Sequence, residues 1–328
     1  MALYLHGIGH FHPDNVIDNA FLESLGLGTS EAWIMERVGI RTRRTVLSLD
    51  YIRETKNADP RGAREASSYD HAGMGARAAT MALERAGLST SDIGMVIAGG
   101  TAPDRVTPAE ACTIAAALGV DAPAFDLVSA CTSFFVPLHM LSLMNPAKLP
   151  PYVLVVVPET ITCTVDYRDR GTCVLWGDAA AAAVISSQVP SPVEIIDTTL
   201  GSNPAAHDKV VVERHGHFRQ DGQSVQKFAV KTMTAMLQRM QRELHAPGRR
   251  LHYIGHQANF RMLERVCESC DVPPQRHLHN LIDYGNTGAA GAPSVLSMNW
   301  NGFKPGDDVA MTGVGAGLTW SSLLLRFS

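Results

Sequence analysis

The sequence predicts an α/β protein organised as two units or as one duplicated fold. Short β-rich runs alternate with helical segments along the whole chain. Its 328 residues suffice for two domains at ~150 residues each. Hydrophobic residues make up 45% and charged residues 18%, as in a chain with a large core.

Strands are expected at Tyr4–Ile8, Met95–Ala98, Tyr152–Val157, Thr172–Trp176, Ala181–Ser186, Val193–Thr199, Tyr253–His256, Asp308–Gly313 and Thr319–Arg326, each a short apolar or β-branched run. A helix is expected over Tyr69–Ala86, with Ser68 as N-cap and Gly87 as the glycine past its end. A second, near Pro108–Leu118, leads into a strand-like approach to Cys131. The third, Val225–Leu244, spaces Val225, Ala229, Met233, Met236, Leu237, Met240 and Leu244 by threes and fours. Leu49–Ser68 is charged and weakly periodic and reads as an inserted surface loop. Two prolines within Ser187–Pro192 mark a seam that ends one strand-rich half.

The 28 basic and 32 acidic side chains give a formal net charge of −4, which argues against a nucleic-acid binder. No apolar run approaches the ~18–20 residues of a membrane span. The opening MALYLHGIGHFHP lacks the basic-then-apolar order of a signal peptide. Six scattered cysteines form no disulfide framework. The chain reads as a soluble cytoplasmic enzyme.

The sharpest local feature is AFDLVSACTSFF, Ala124–Phe135. An apolar approach ends in small residues, then Cys131, then a run able to start a helix. Such a cysteine sits on a tight turn near helix N–H groups, whose partial positive charge favours thiolate. An arbitrary lone cysteine is more often a buried structural residue, and Pro137 should kink a helix if it lies past the first turn. Three further segments change the balance. IGHQANFR (Ile254–Arg261) delivers His256 from a strand to a loop beside Gln257 and Asn259. DYGNTGAAGAPS (Asp283–Ser294) sets Asn286 between glycines. MTGVGAGLTW (Met311–Trp320) is a glycine-rich turn whose N–H groups could complete an oxyanion hole with the Cys131 amide.

Together these segments resemble the condensing enzymes of the thiolase superfamily, most closely β-ketoacyl-acyl-carrier-protein synthase III. AWIMERVGIRTRR (Ala32–Arg44) resembles the family's W-x-x-x-R-x-G-I-x-x-R segment, and DRGTCVLWGDAAAAAVI (Asp169–Ile185) its R-G-T…G-D-G-A-G-A block. DGQSVQKFAVKTM (Asp221–Met233) is similar to its G-x-x-V-F-K-F-A-V segment, and KPGDDVAMTGVGAGLTWSSLLLRF to its C-terminus. The resemblance implies a thiolase fold with two pseudo-equivalent halves in a five-layer αβαβα arrangement. Residues 1–188 would carry the nucleophile and 189–328 the histidine and asparagine, in a homodimer.

By the same resemblance, Cys131, His256 and Asn286 take the catalytic positions, and the amides of Cys131 and Ala316 form the oxyanion hole. Trp33 and Arg170 match positions that hold the adenine of coenzyme A, with Arg37 near its phosphates, a pairing suited to a planar base with anionic groups. Asn259 matches a tunnel asparagine, Arg261 a carrier-docking arginine, and Trp176 and Val314 border the acyl pocket. No metal or cofactor is implied. The substrates would be an acyl-CoA or acyl-carrier starter and a malonyl-type thioester, with an acyl carrier protein as a partner.

The chemistry explains the residue types. A thiolate takes an acyl group from a thioester almost isoenergetically. Decarboxylation of the malonyl thioester puts charge on its carbonyl oxygen, where His256 and Asn286 can both donate. The enolate carbon then attacks the acyl-cysteine and gives a 3-oxoacyl thioester.

Several positions depart from the family pattern. Ala316 stands within the glycine triplet, Val314 replaces a common phenylalanine, and so does Trp176. Glu268 and Ser269 stand where housekeeping members often carry paired lysines, with Arg265 compensating in part. These departures, with the 49–68 insertion, point to a specialised fatty-acid, polyketide or secondary-metabolite pathway and a starter larger than acetyl. The rival readings are acyl transfer to a non-carbon acceptor, head-to-head joining of two longer acyl chains, and a non-catalytic partner subunit. Retention of Cys131, His256 and Asn286 argues against the last. Cys267-x-x-Cys270 has no second pair to make a metal site, the alternate-residue histidine pairs read as surface or loop residues, and GVGAG lacks the βαβ context of a dinucleotide fingerprint.

Overall fold

The structure, a computed structural model, describes residues 2–328. Nine strands form one mixed sheet: β1 (Leu3–Phe11), β2 (Ile93–Ala98), β3 (Ala124–Asp126), β4 (Tyr152–Glu159), β5 (Ala179–Ser186), β6 (Val193–Ser202), β7 (Arg250–Gly255), β8 (Asp307–Gly315) and β9 (Thr319–Phe327). Their spatial order is β7-β8-β9-β6-β1-β5-β4-β2-β3. A repeat is hidden in that order. Among the first five strands the sequence across the sheet is third, second, fourth, fifth, first, with β2 parallel to both β3 and β4 and the last two pairs antiparallel. Strands β7, β8, β9 and β6 reproduce second, fourth, fifth, first, again with one parallel pair and two antiparallel ones. The place of the missing third strand holds a single parallel bridge, Tyr253 to His277. The two sets meet where Leu3 and Tyr4 pair with Ile195 and Glu194.

The helices needed below are α1 (Glu31–Arg37), α2 (Leu49–Thr55), α3 (Pro60–Glu65), α4 (His71–Ala86), α5 (Glu110–Leu118), α6 (Phe135–Leu143), α7 (Gly222–Glu243), α8 (Phe260–Ser269) and α9 (Gly291–Met298). Strand alternation decides which layer each covers. Val156, Ala182 and Val184 share a core with Met74, Ala78 and Ala82 of α4. That helix lies directly on β1, where a Cβ on Gly7 would come 2.2 Å from the Ala82 carbonyl oxygen. The alternate residues Val155, Ala181 and Ala183 face a second core with Phe135 and Leu138 of α6, Val295 and Leu296 of α9, and Met311 and Leu323 of the second strand set. Helix α6 packs on β6 and β9, and α9 on β1 and β5, so both lie between the two strand sets. Helices α7 and α8 pack together beyond β8. The layers run α4, sheet, α6 with α9, sheet, α7 with α8: an α/β thiolase-type fold.

Four expectations need correction. Thr172–Trp176 is not a strand but a turn, in which the Cys173 N–H donates to Asp169 O and the Leu175 N–H to Thr172 O. Its carbonyls are satisfied elsewhere: the fully buried Arg43 guanidinium donates to Val174 O at 3.0 Å and 2.5 Å. Helix α4 is capped by Asp70, whose Oδ1 accepts from the Gly73 N–H, while Ser68 bonds Val46 O instead. Helix α7 starts at Gly222 under an Asp221 cap. The Leu49–Ser68 segment is not a loop but α2 and α3, capped by Ser48 and Asp59. Each short helix buries one apolar residue, Ile52 or Ala63, and Asn57 between them is fully buried. Its amide donates to Cys163 O at 3.0 Å and Val165 O at 2.8 Å. A stripe one residue wide per helix is too narrow to register as periodicity among so many charges.

Ile52→Ala is therefore expected to lower stability by about 2–5 kcal/mol, read as a lower urea midpoint at unchanged slope. A change within about 0.5 kcal/mol would mean the segment is uncoupled from the core.

Candidate active site

From the end of β3 the chain runs through Leu127–Ser129 into a single 3-10 turn, Ala130–Thr132. Ala130 sits at φ +47°, a region that non-glycine residues seldom enter. Side chains hold the turn: Ser133 Oγ accepts from the Ser129 N–H at 2.8 Å, and Thr132 Oγ1 bonds Ser129 O at 2.7 Å and Thr319 Oγ1 at 2.9 Å. The end of β8 closes over it. A Cβ on Gly315 would lie 3.1 Å from the amide nitrogens of both Cys131 and Thr132, filling the space before them. The Cys131 N–H has no backbone acceptor among the described residues, and Ala316 directly follows Gly315.

Helix α6 begins at Phe135, so Pro137 falls in its first turn and needs no kink. Cys131 lies in the turn before that helix and is buried. The expected depression of its pKa is not found. Burial, and then the Glu159 carboxylate, push the thiol up to about 12. The resting group is a neutral thiol.

Strand β7 pairs in parallel with β8, Gly255 opposite Thr312, and releases His256 beside the strand end that covers Cys131. His256 is 6% exposed. Burial alone lowers its pKa to about 4, so the imidazole is neutral near pH 7 and carries one N–H. Gln257 fixes the loop, its Nε2 donating to Gly255 O and its Oε1 accepting from the Asn280 and Leu281 amides. Asn286 is gripped at its backbone: its N–H donates to Leu175 O at 2.8 Å and its carbonyl accepts the Gly177 N–H at 2.9 Å. The Gly288 N–H donates to Oδ1 at 3.1 Å, which identifies that atom as the oxygen and leaves Nδ2 as the outward donor. The Gly288–Ala290 turn in turn packs on the Ala130–Thr132 turn. Cys131, His256 and Asn286 thus converge from three segments far apart in sequence.

The expected nucleotide-binding residues also assemble. The guanidinium carbons of Arg170 and Arg37 lie 5.0 Å and 5.7 Å from the Trp33 ring centroid. Arg170 is exposed and also donates to Gly28 O. The other two have local partners. Asn259 caps α8, its Oδ1 accepting from the Arg261 and Met262 amides. Arg261 donates to Glu36 O and Met35 O near the end of α1 and pairs with Glu264. Trp176 and Val314 are both buried, with Trp176 packed edge-on against Phe218 at 4.5 Å. Open space lies instead beside Thr101, in a cavity of about 650 Å³ whose lining includes Thr101, Ala102, Val106, Cys163 and Val212.

Sequence reasoning missed Glu159 and Thr101. Glu159 is fully buried at the end of β4. It accepts from the Thr101 N–H, the Thr101 hydroxyl and the Ala289 N–H at 3.1, 2.9 and 2.9 Å. A lone acid closing the apolar run Tyr152–Val157 was the available signal.

Residues 125–204 match the family described as 3-oxoacyl-[acyl-carrier-protein] synthase III, and residues 251–327 match its C-terminal counterpart. A β-ketoacyl-[acyl-carrier-protein] synthase III from Aliarcobacter butzleri is 33% identical over 98% of this chain and 96% of that protein. The chain belongs to this synthase III family. A relative of the same name from Roseiflexus sp. is 33% identical over the full length of both. The crystal structure of the Aquifex aeolicus synthase III superposes with a TM-score of 0.87 at 29% identity, covering 99% of this chain and all of that one. As a member of the family, the protein is an acyltransferase-type condensing enzyme that makes carbon–carbon bonds by Claisen condensation.

A pH titration of the His256 ring by NMR should give a midpoint near 4. A buried imidazole held neutral takes up fewer protons than the unfolded chain between about 4 and 6.5, so its contribution makes stability fall as pH drops through that window. A midpoint near the ordinary ~6.5 would contradict the neutral donor.

Proposed function

We propose that this enzyme joins a Cys131-bound acyl group to a malonyl-type thioester by decarboxylative condensation, giving a 3-oxoacyl product. One observation carries the reading: two uncharged N–H donors, on His256 and on Asn286 Nδ2, are held beside a thiol whose own N–H has no backbone acceptor among the described residues. Cys131 attacks the acyl thioester, a new C–S bond forms, and the carrier thiol departs with the proton. The malonyl thioester then loses carbon dioxide. The released electron pair spreads onto the thioester oxygen, where His256 and Asn286 donate. The enolate carbon attacks the acyl carbonyl, whose oxyanion takes the N–H groups of Cys131 and Ala316. Collapse frees the Cys131 sulfur, which is protonated again. These side chains supply the chemistry without a cofactor.

Trp33, Arg37 and Arg170 favour the nucleotide end of coenzyme A. Arg261 is held by its own chain, and Glu268 and Ser269 are exposed on α8, which disfavours an acidic carrier protein as the tight partner. The reading therefore sets the protein in a specialised fatty-acid, polyketide or secondary-metabolite pathway, with a starter longer than acetyl. A homodimer is supported by β3, which ends the sheet with a free edge and is followed closely by exposed Val128. A cytoplasmic setting fits, since none of the described helices is long and apolar enough to cross a membrane.

Incubation with a panel of acyl-CoAs should add one acyl mass to Cys131, and more to medium or longer chains than to acetyl. Peptide mapping to any other cysteine would sink the assignment, and an acetyl preference would return the protein to ordinary initiation. Asn286→Ala should keep self-acylation and raise the decarboxylation barrier by ~2–4 kcal/mol. Loss of acylation with normal carbon dioxide release would reverse the roles.

A further inference from the structure

We infer that Trp176 selects the starter: its indole N–H donates to an oxygen on the third carbon of the acyl group carried by Cys131. The substrate class is therefore a thioester oxygenated at that carbon, such as a 3-hydroxyacyl-CoA. The inference rests on the acyl-enzyme of the function proposed above and does not depend on how the extender loses carbon dioxide.

The backbone puts this side chain beside Asn286. Trp176 and Asn286 form a parallel bridge, made by the Asn286 N–H to Leu175 O and the Gly177 N–H to Asn286 O. Residues opposite each other in a parallel pairing present their side chains on one face, ~4.8 Å apart. The indole and the Asn286 amide therefore share a face. Cys131, His256, Asn286 and Trp176 are 9, 6, 4 and 3% exposed, so the indole lies as deep as the residues that converge on the thiol.

The indole also has an unmet demand. Its Nε1 is shielded from solvent and has no hydrogen-bond partner among the described residues, whereas a buried tryptophan N–H usually finds an acceptor. The ring itself is fixed. Phe218 packs across it at 4.5 Å and belongs to a short hairpin, Val210–Val212 with Phe218–Gln220. Next to Phe218, His217 Nε2 donates to Asn57 O at 2.7 Å, which ties the hairpin to the buried residue between α2 and α3. The phenylalanine common in the family at this position would keep an aromatic ring and lack the donor.

Two kinds of substrate oxygen lie a few bonds from the reacting carbonyls: the malonyl carboxylate and an oxygen on the third carbon of the starter. A donor on the carboxylate would stabilise the charge that decarboxylation must move, and so would raise the barrier. On the starter the same donor is satisfied without touching the bonds that react. A plain acyl chain leaves it unpaired, the condition under which a polar site discriminates best.

The test gives the full chain decanoyl-CoA and 3-hydroxydecanoyl-CoA in competition and follows labelling of Cys131 by peptide mass. Wild type should take the hydroxylated chain ~10-fold faster, the worth of about one hydrogen bond, and Trp176→Phe should lose that preference. With nitrogen-labelled tryptophan, the indole resonance that Trp176→Phe deletes should move downfield in the hydroxyacyl-enzyme and stay in place in the decanoyl-enzyme. Equal labelling by wild type, as expected of an indole N–H spent on the Phe218 ring face, would overturn the inference. So would an unmoved resonance, or a preference that survives in Trp176→Phe. If that variant does not fold, the wild-type competition decides alone. Slower carbon dioxide release from malonyl-CoA by Trp176→Phe, with the starter preference intact, would assign the donor to the carboxylate instead. Wild type that takes neither chain on Cys131 would count against the acyl-enzyme itself, and the inference would fall with it.

Discussion

Asn286 is clamped by two backbone hydrogen bonds to the first half of the chain, one to Leu175 O and one from the Gly177 N–H. Much of the site depends on that clamp. It requires glycine at 177, where a Cβ would fall 2.3 Å from Tyr284 O, and at 285, where φ is +71° and a Cβ would press on Arg43. It also requires the Leu175 carbonyl to point away from any strand, which the turn over Thr172–Trp176 provides. The buried Arg43 holds that turn by its Val174 carbonyl and anchors itself on Asn19 Oδ1. A charge this deep is costly, and burial lowers the Arg43 pKa to about 9. Hydrogen bonds to carbonyls and an amide offset the cost in place of a carboxylate, and they fix backbone geometry as they do so.

A second constraint is electrical. Around Cys131 the groups proposed to react are kept uncharged by burial: the thiol is raised and the imidazole lowered. Charge is set back from them, on the His71–Glu110 pair, while burial raises the Glu159 carboxyl to about 7. A neutral, dry site aims its N–H donors where charge will develop during reaction and does not spend them on a resting ion. Acyl transfer from a thioester suits such a site, because the sulfur needs to ionise only as the new bond forms.

The fold was largely legible because its strands are short apolar runs and its long helix α7 has an unbroken three-and-four spacing. The three residues that converge were legible for a different reason: each lies in a segment rich in small residues, where local propensity yields to backbone approach. Two kinds of feature were hidden. Thr172–Trp176 looks like a strand because its side chains are buried, but burial says nothing about where carbonyls point, and only Arg43 and Asn286 decide that. Glu159 and Thr101 were invisible because their importance lies in long-range pairing across 58 residues of sequence. The resting state of Cys131 was misjudged for a related reason, since a helix terminus is a local feature, whereas the burial and then the Glu159 carboxyl that oppose it are set by the tertiary fold.

The central claim is that thiol chemistry and enolate chemistry are supplied by different segments and can be separated. The most direct measurement is carbon dioxide release from a malonyl thioester by folded Cys131→Ala protein, given malonyl-CoA and malonyl-carrier in parallel. The account expects release to persist with no condensation product, because His256 and Asn286 remain in place. A folded variant that releases none from either substrate would contradict it.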